Sequence, residues 1–123
     1  MSQTLWEING LSLELDMEDY ETNKRYIKAF EEMAKKEKEM QKDGDLSEKI
    51  KNYCLLFYDL YDAIFGKGVG EKIFKSKYNS RICDEIYEDF LKFIQSQQEA
   101  ITQRKEQIFN YDPKRRTQIK AVK

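Results

Sequence analysis

Residues 52–74, NYCLLFYDLYDAIFGKGVGEKIF, decide the fold of this chain. Tyr53, Cys54, Phe57, Leu60, Tyr61 and Ile64 recur at three- and four-residue spacing, which places them on one side of a helix. Leu55, Leu56 and Phe65 widen that side. A helix that is apolar over so much of its circumference belongs at the centre of a fold. The pattern predicts a helix over residues 46–65, with Ile50 opening its inward face. Gly66 is expected to end it as a left-handed C-terminal residue. Residues 69–75 then form a short helix that turns Val69, Ile73 and Phe74 inward. Upstream, Asp43-Gly44 breaks the chain, and Asp45 followed by Glu48 resembles a capping box.

Working outward, residues 18–42 have a helical period, with Tyr20, Ile27, Phe30, Met33 and Ala34 as the expected apolar stripe. Beyond Ala34 the stripe thins to Met40 amid KKEKE, so the last two turns are expected to be exposed. On the other side, Asn79 or Ser80 caps a long final helix reaching to about residue 109. Its expected core face is Ile82, Cys83, Ile86, Tyr87, Phe90, Leu91 and Ile94. At 1.5 Å per residue a thirty-residue helix spans about 45 Å, longer than a compact globule of this size, about 35 Å across. The overhang keeps Ile94, Ile101 and Ile108 at seven-residue spacing, a narrow seam. It has two readings: packing against the second half of the first helix, or contact with a partner or a second copy.

The N-terminus reads as a hairpin over residues 4–15. Asn9-Gly10 is a strong turn signal, because a type I′ turn needs positive φ at both central positions. The two-residue loop pairs Ile8 with Leu11, Trp6 with Leu13 and Thr4 with Leu15. Trp6, Ile8, Leu11, Leu13 and Leu15 then share one face, while Glu7, Ser12 and Glu14 fall on the other with Leu5. Two strands alone are marginal in water, so the apolar face must lie on helices or on another subunit. The open edges of the ribbon can accept a strand from another chain. The fold class is mainly α: about four helices (two long, one central and aromatic-rich, one short) with an N-terminal β-hairpin. Residues 1–112 are expected to form a single helical domain and residues 113–123 a disordered basic tail.

Composition bounds the function. The chain has 123 residues, of which 37% are charged and 13% aromatic, with a single proline. That balance suits one domain of long solvated helices and argues against disorder of the whole. No apolar run approaches the length of a membrane span, and residues 1–10 lack the pattern of a signal peptide, so the expected location is the cytoplasm. Cys54 and Cys83 lie within apolar helical patterns and are expected to be buried free thiols. The absence of histidine removes the commonest general base and the commonest metal ligand. Neither catalytic nor metal-binding nor cofactor-binding residues are expected.

Three constellations invite sharper chemistry. Gly66, Gly68 and Gly70 with Lys67 and Lys72 suggest a phosphate loop. Such a loop follows a strand and ends in Gly-Lys-Ser/Thr, whereas this one follows a helix and reads Gly-Glu-Lys, so chain punctuation is the better reading. Asp59, Asp62, Glu85, Glu88 and Asp89 read as solvated helix faces rather than a carboxylate pair. Lys114, Arg115, Arg116, Lys120 and Lys123 give residues 113–123 a charge of +5 within a net charge of −1, leaving −6 for residues 1–112. An acidic body disfavours nucleic acid, and the tail suits an acidic protein surface better. A small nucleic-acid-binding regulator acting through this tail is the alternative. The candidate partner-binding residues are Trp6, Ile8, Leu13, Ile101, Ile108, Lys114, Arg115 and Arg116.

Three segments together resemble the tail assembly chaperones of long-tailed phages and prophages of Gram-positive hosts. WEINGLSLELD, residues 6–16, looks like that family's N-terminal hairpin. FYDLYDAIFGKGVGEKIF, residues 57–74, is similar to its helix ending in Phe-Gly-x-Gly before a Lys-Ile-Phe segment. PKRRTQ, residues 113–118, resembles its Pro-x-Arg-Arg tail. The resemblance implies a non-enzymatic assembly factor that oligomerises, coats the tape measure protein and recruits tail tube subunits. It implies no cofactor and no membrane association, and a protein absent from the finished virion. Another phage scaffold or interaction protein, such as a head scaffold, is the neighbouring alternative.

Overall fold

A computed structural model describes residues 3–40 and 44–111. Within them the protein is mainly helical, with four helices following an antiparallel two-stranded hairpin. Strands β1 (Leu5–Ile8) and β2 (Leu11–Glu14) pair in the register Leu5 with Glu14, Trp6 with Leu13, Glu7 with Ser12 and Ile8 with Leu11. Asn9 at φ 48° and Gly10 at φ 80° make the primed turn that this register requires. The Leu15 amide donates to the Thr4 carbonyl at 2.7 Å and extends the ladder by one rung.

Helix α1 (Tyr20–Glu39) starts at Asp19, whose carboxylate accepts from the Thr22 amide. Its inward face is Tyr26, Ala29, Phe30 and Met33. This corrects the expected stripe, because Tyr20 is 73% exposed, Ile27 51% exposed, and Ala34 also faces outward. Two rows of apolar residues compete on this helix, and the one holding small Ala29 wins, allowing α1 close to α2. Lys35–Glu39 is exposed as expected. Residues 41–43, which include the expected breaker Asp43, lie outside the described residues.

Helix α2 (Leu46–Phe65) is the spine. Asp45 caps it by accepting from the Glu48 amide at 2.9 Å, and Cys54, Leu56, Phe57, Tyr58, Leu60, Tyr61 and Ile64 are buried along it. Its far end is held by α1, where Arg25 Nε donates to the Ile64 carbonyl at 2.9 Å. Gly66 ends α2 as expected, but at φ 124° and ψ 156° rather than in the left-handed helical well, which Gly68 occupies instead. Helix α3 (Val69–Phe74) follows and buries Ile73 and Phe74. Gly70 is there for contact: a Cβ would sit 2.6 Å from the Tyr58 carbonyl oxygen and 2.8 Å from its Cα.

Helix α4 (Ser80–Tyr111) is capped by Asn79, which accepts from the Ile82 amide. Its 32 residues span about 48 Å. Ile82, Cys83, Ile86, Tyr87, Phe90, Phe93 and Ile94 pack into the core, whereas Leu91 is 40% exposed, which corrects its expected place. Beyond Ile94 the helix leaves the main apolar cluster.

Candidate functional site: the hairpin seat and the outer helix faces

Three anchors fix the hairpin on the helices. Trp6 is 2% exposed, in ring contact with Tyr61, Phe65 and Phe90 at centroid distances of 5.5, 5.9 and 4.9 Å. Its indole Nε1 donates to Asp89 Oδ2 at 2.9 Å. At the tip, Asn9 Nδ2 donates to the Ile73 carbonyl of α3 at 2.8 Å. At the base, Gln97 is 3% exposed and uses its amide fully: Oε1 accepts from the Met17 amide, and Nε2 donates to the carbonyls of Gln3 and Leu15. A buried amide so satisfied is a positioning device.

The partner role expected for Trp6 is thereby corrected, while Ile8 and Leu13 stay partly exposed. Trp6 is core, and Ile8 and Leu13 pack against the same cluster because the alternation of the ribbon turns all three toward α2 and α4. Ile101 is 8% exposed and likewise unavailable, while Ile108 is 42% exposed and keeps its candidacy. The second half of α4 meets the segment after the hairpin rather than the second half of α1. Gln97 holds Met17, and Arg104 with Lys105 clamps Glu18, holding its carboxyl below the usual carboxylate range. Lys114, Arg115 and Arg116 lie outside the described residues. Sequence reasoning missed Gln97, since nothing local marks a glutamine whose partners are backbone groups about eighty residues away.

The acids are largely engaged in structure. Asp62 Oδ1 accepts from the Gly70 amide at 2.7 Å, Asp59 pairs with Lys36 at 3.2 Å, and Asp89 serves Trp6. With Asp62 on the Gly70 amide, the glycine segment presents a carboxylate where a phosphate would need free donors. Cys54 and Cys83 are fully buried free thiols. Burial, helped by a thiol–thiol hydrogen bond, pushes the Cys83 thiol up and makes it a poor nucleophile. Among the described residues, no cluster of cysteine, aspartate and glutamate is arranged to hold a metal ion, and no helix is long and apolar enough to cross a membrane.

Two helix faces point outward. Tyr20, Lys24, Ile27, Glu31, Ala34 and Lys38 line the side of α1 opposite Ala29, all exposed. On α4 a shallow open depression is lined by Leu91, Ile94, Gln98, Glu99, Thr102 and Glu106 among others. Residues 9–122 match a family described as a family of unknown function, DUF6673. The chain belongs to this family. Among curated proteins and solved structures nothing matches it. The DUF6673 match opens at the hairpin turn and takes in β2, all four helices and the basic tail, so it covers every outward surface named above.

Proposed function

We propose that the protein is a non-enzymatic tail assembly chaperone. It self-associates, binds the tape measure protein and recruits tail tube subunits in the cytoplasm of a bacterial host, and it leaves before the virion is complete. The reading rests on the resemblance of residues 6–16, 57–74 and 113–118 to that family. One structural observation supports it: the long α4 runs past the apolar cluster and presents Ile108 at 42% exposure, a surface suited to reversible protein contact. The two central resembling segments also pack as one unit, Trp6 against Tyr61 and Phe65 and Asn9 against α3. On this reading the helix faces and the basic tail meet the partners.

Co-expression of the full chain with a tape measure fragment tests the reading. The expected result is a soluble complex holding several copies of the chain per fragment. Failure of the fragment to co-purify, with the chain strictly monomeric by light scattering, would overturn it.

A further inference from the structure

Helices α2 and α4 face each other in one register along their buried length. The Tyr53 hydroxyl donates to Asp84 Oδ1, the rings of Phe57 and Tyr87 meet at 5.2 Å, and those of Tyr61 and Phe90 meet at 5.5 Å. Partners on both helices advance together toward the C-terminus, so the two run parallel. Cys54 and Cys83 each stand seven residues before Tyr61 and Phe90, beside the Tyr53–Asp84 bond and one turn before Phe57 and Tyr87. The register therefore sets the two sulfurs opposite each other.

Both cysteines are fully buried in one apolar cluster, and their thiols share a hydrogen bond. The chain has two cysteines, and the fold brings those two together. Either thiol alone would be a small core residue. Two at one level of a helix pair have a covalent bond open to them. Helix axes pack about 8–10 Å apart with each Cα about 2.3 Å from its axis, so facing Cα atoms come within about 6 Å, a separation that a disulfide spans.

We infer that Cys54 and Cys83 are a redox pair that closes to a disulfide and locks α2 to α4. The oxidant is hydrogen peroxide, small and neutral enough to enter when the seam between the helices opens transiently. One sulfur takes an oxygen from the peroxide and becomes a sulfenic acid, releasing water. The other thiol then displaces that oxygen as a second water, and the S–S bond forms. Two thiols lose two electrons and two protons, and one peroxide becomes two waters. A thiol reductant reverses the step by exchange. While the seam is shut, the proton that burial holds on Cys83 keeps the pair reduced. The loop so closed carries α3, whose Ile73 carbonyl holds the hairpin tip, so the lock joins the spine, α3 and the last helix. It does not depend on the chaperone reading.

Peroxide treatment of the folded, reduced full chain tests it by intact mass, peptide mapping and thermal unfolding. The expected product has lost two hydrogens, joins the Cys54 and Cys83 peptides within one chain, keeps its helical circular dichroism and returns to the starting mass with dithiothreitol. It should melt about 5 °C or more above the reduced chain. Cys54→Ala and Cys83→Ala should each abolish both the mass loss and the gain in Tm. The wild-type chain alone can overturn the inference. Two thiols still open to alkylation after peroxide and unfolding, sulfinic acid in place of the bond, cross-links between copies alone, or a disulfide that leaves Tm unchanged or lowers it would each do so.

Discussion

Trp6 Nε1 donates to Asp89 Oδ2 at 2.9 Å, a bond that ties the first strand to the first third of the last helix across 83 residues. The carboxylate is exposed and the indole is not, so the bond gives the ring its one polar outlet from an aromatic cluster. Trp6→Phe should cost about 1–2 kcal/mol, for the lost bond and some packing, and Trp6→Ala about 3–5 kcal/mol. Urea unfolding followed by circular dichroism measures both. A loss below about 1 kcal/mol for the alanine variant would mean that the hairpin does not belong to the core.

Gly70 and Gly68 should respond differently to alanine. Gly70→Ala drives a Cβ to within 2.6 Å of the Tyr58 carbonyl, where backbone must move, and should cost at least about 2–3 kcal/mol. Gly68→Ala meets nothing within 4 Å and strains only its φ of 88°, for about 1 kcal/mol. The same unfolding assay orders the two, and a reversed order would refute the close approach of α3 to α2.

Tyr61 is fully buried, and its hydroxyl finds no hydrogen-bond partner among the described residues. Leaving such a group unpaired costs about 1–3 kcal/mol, so Tyr61→Phe should leave stability unchanged or raise it. Tyr58→Phe, which removes the bond to the Lys77 carbonyl at 2.6 Å, should lower it. Thermal unfolding of the pair decides the matter.

Alkaline pH should unfold the protein through the same tyrosines. Burial pushes the Tyr58 hydroxyl up to about 12, and it pushes Tyr53 and Tyr61 up as well. The folded state thus holds its phenolic protons more tightly than the unfolded chain, whose tyrosines titrate near 10. The resulting stability is fully present below about pH 10 and is lost as pH rises toward about 12. A fall in Tm across that window, with tyrosinate absorbance appearing together with the loss of helix, is the expected outcome.

Much of this architecture was legible in the residues. Asn9-Gly10 specified the turn and so the register, and the spacing from Ile50 to Ile64 specified the spine. The misses have physical reasons. On α1, Tyr20-Ile27-Ala34 and Tyr26-Ala29-Phe30-Met33 both repeat helically, and only packing against α2 and α4 selects between them. The inward side of the hairpin could be read, but alternation does not say whether that side meets helices or another subunit. Gly70 looked like punctuation because close approach to a backbone leaves no local signal. The partner-facing residues were the least legible, since exposure depends on everything that packs elsewhere.

On the proposed function, the hairpin belongs to the body and partners meet the outer helix faces. The most direct test is the affinity of the full chain for a tape measure fragment in two variants, Trp6→Phe and Ile108→Asp, compared under conditions where both are folded. Near wild-type binding is expected for Trp6→Phe and a loss of about tenfold or more for Ile108→Asp. Binding abolished by Trp6→Phe and untouched by Ile108→Asp would contradict this reading.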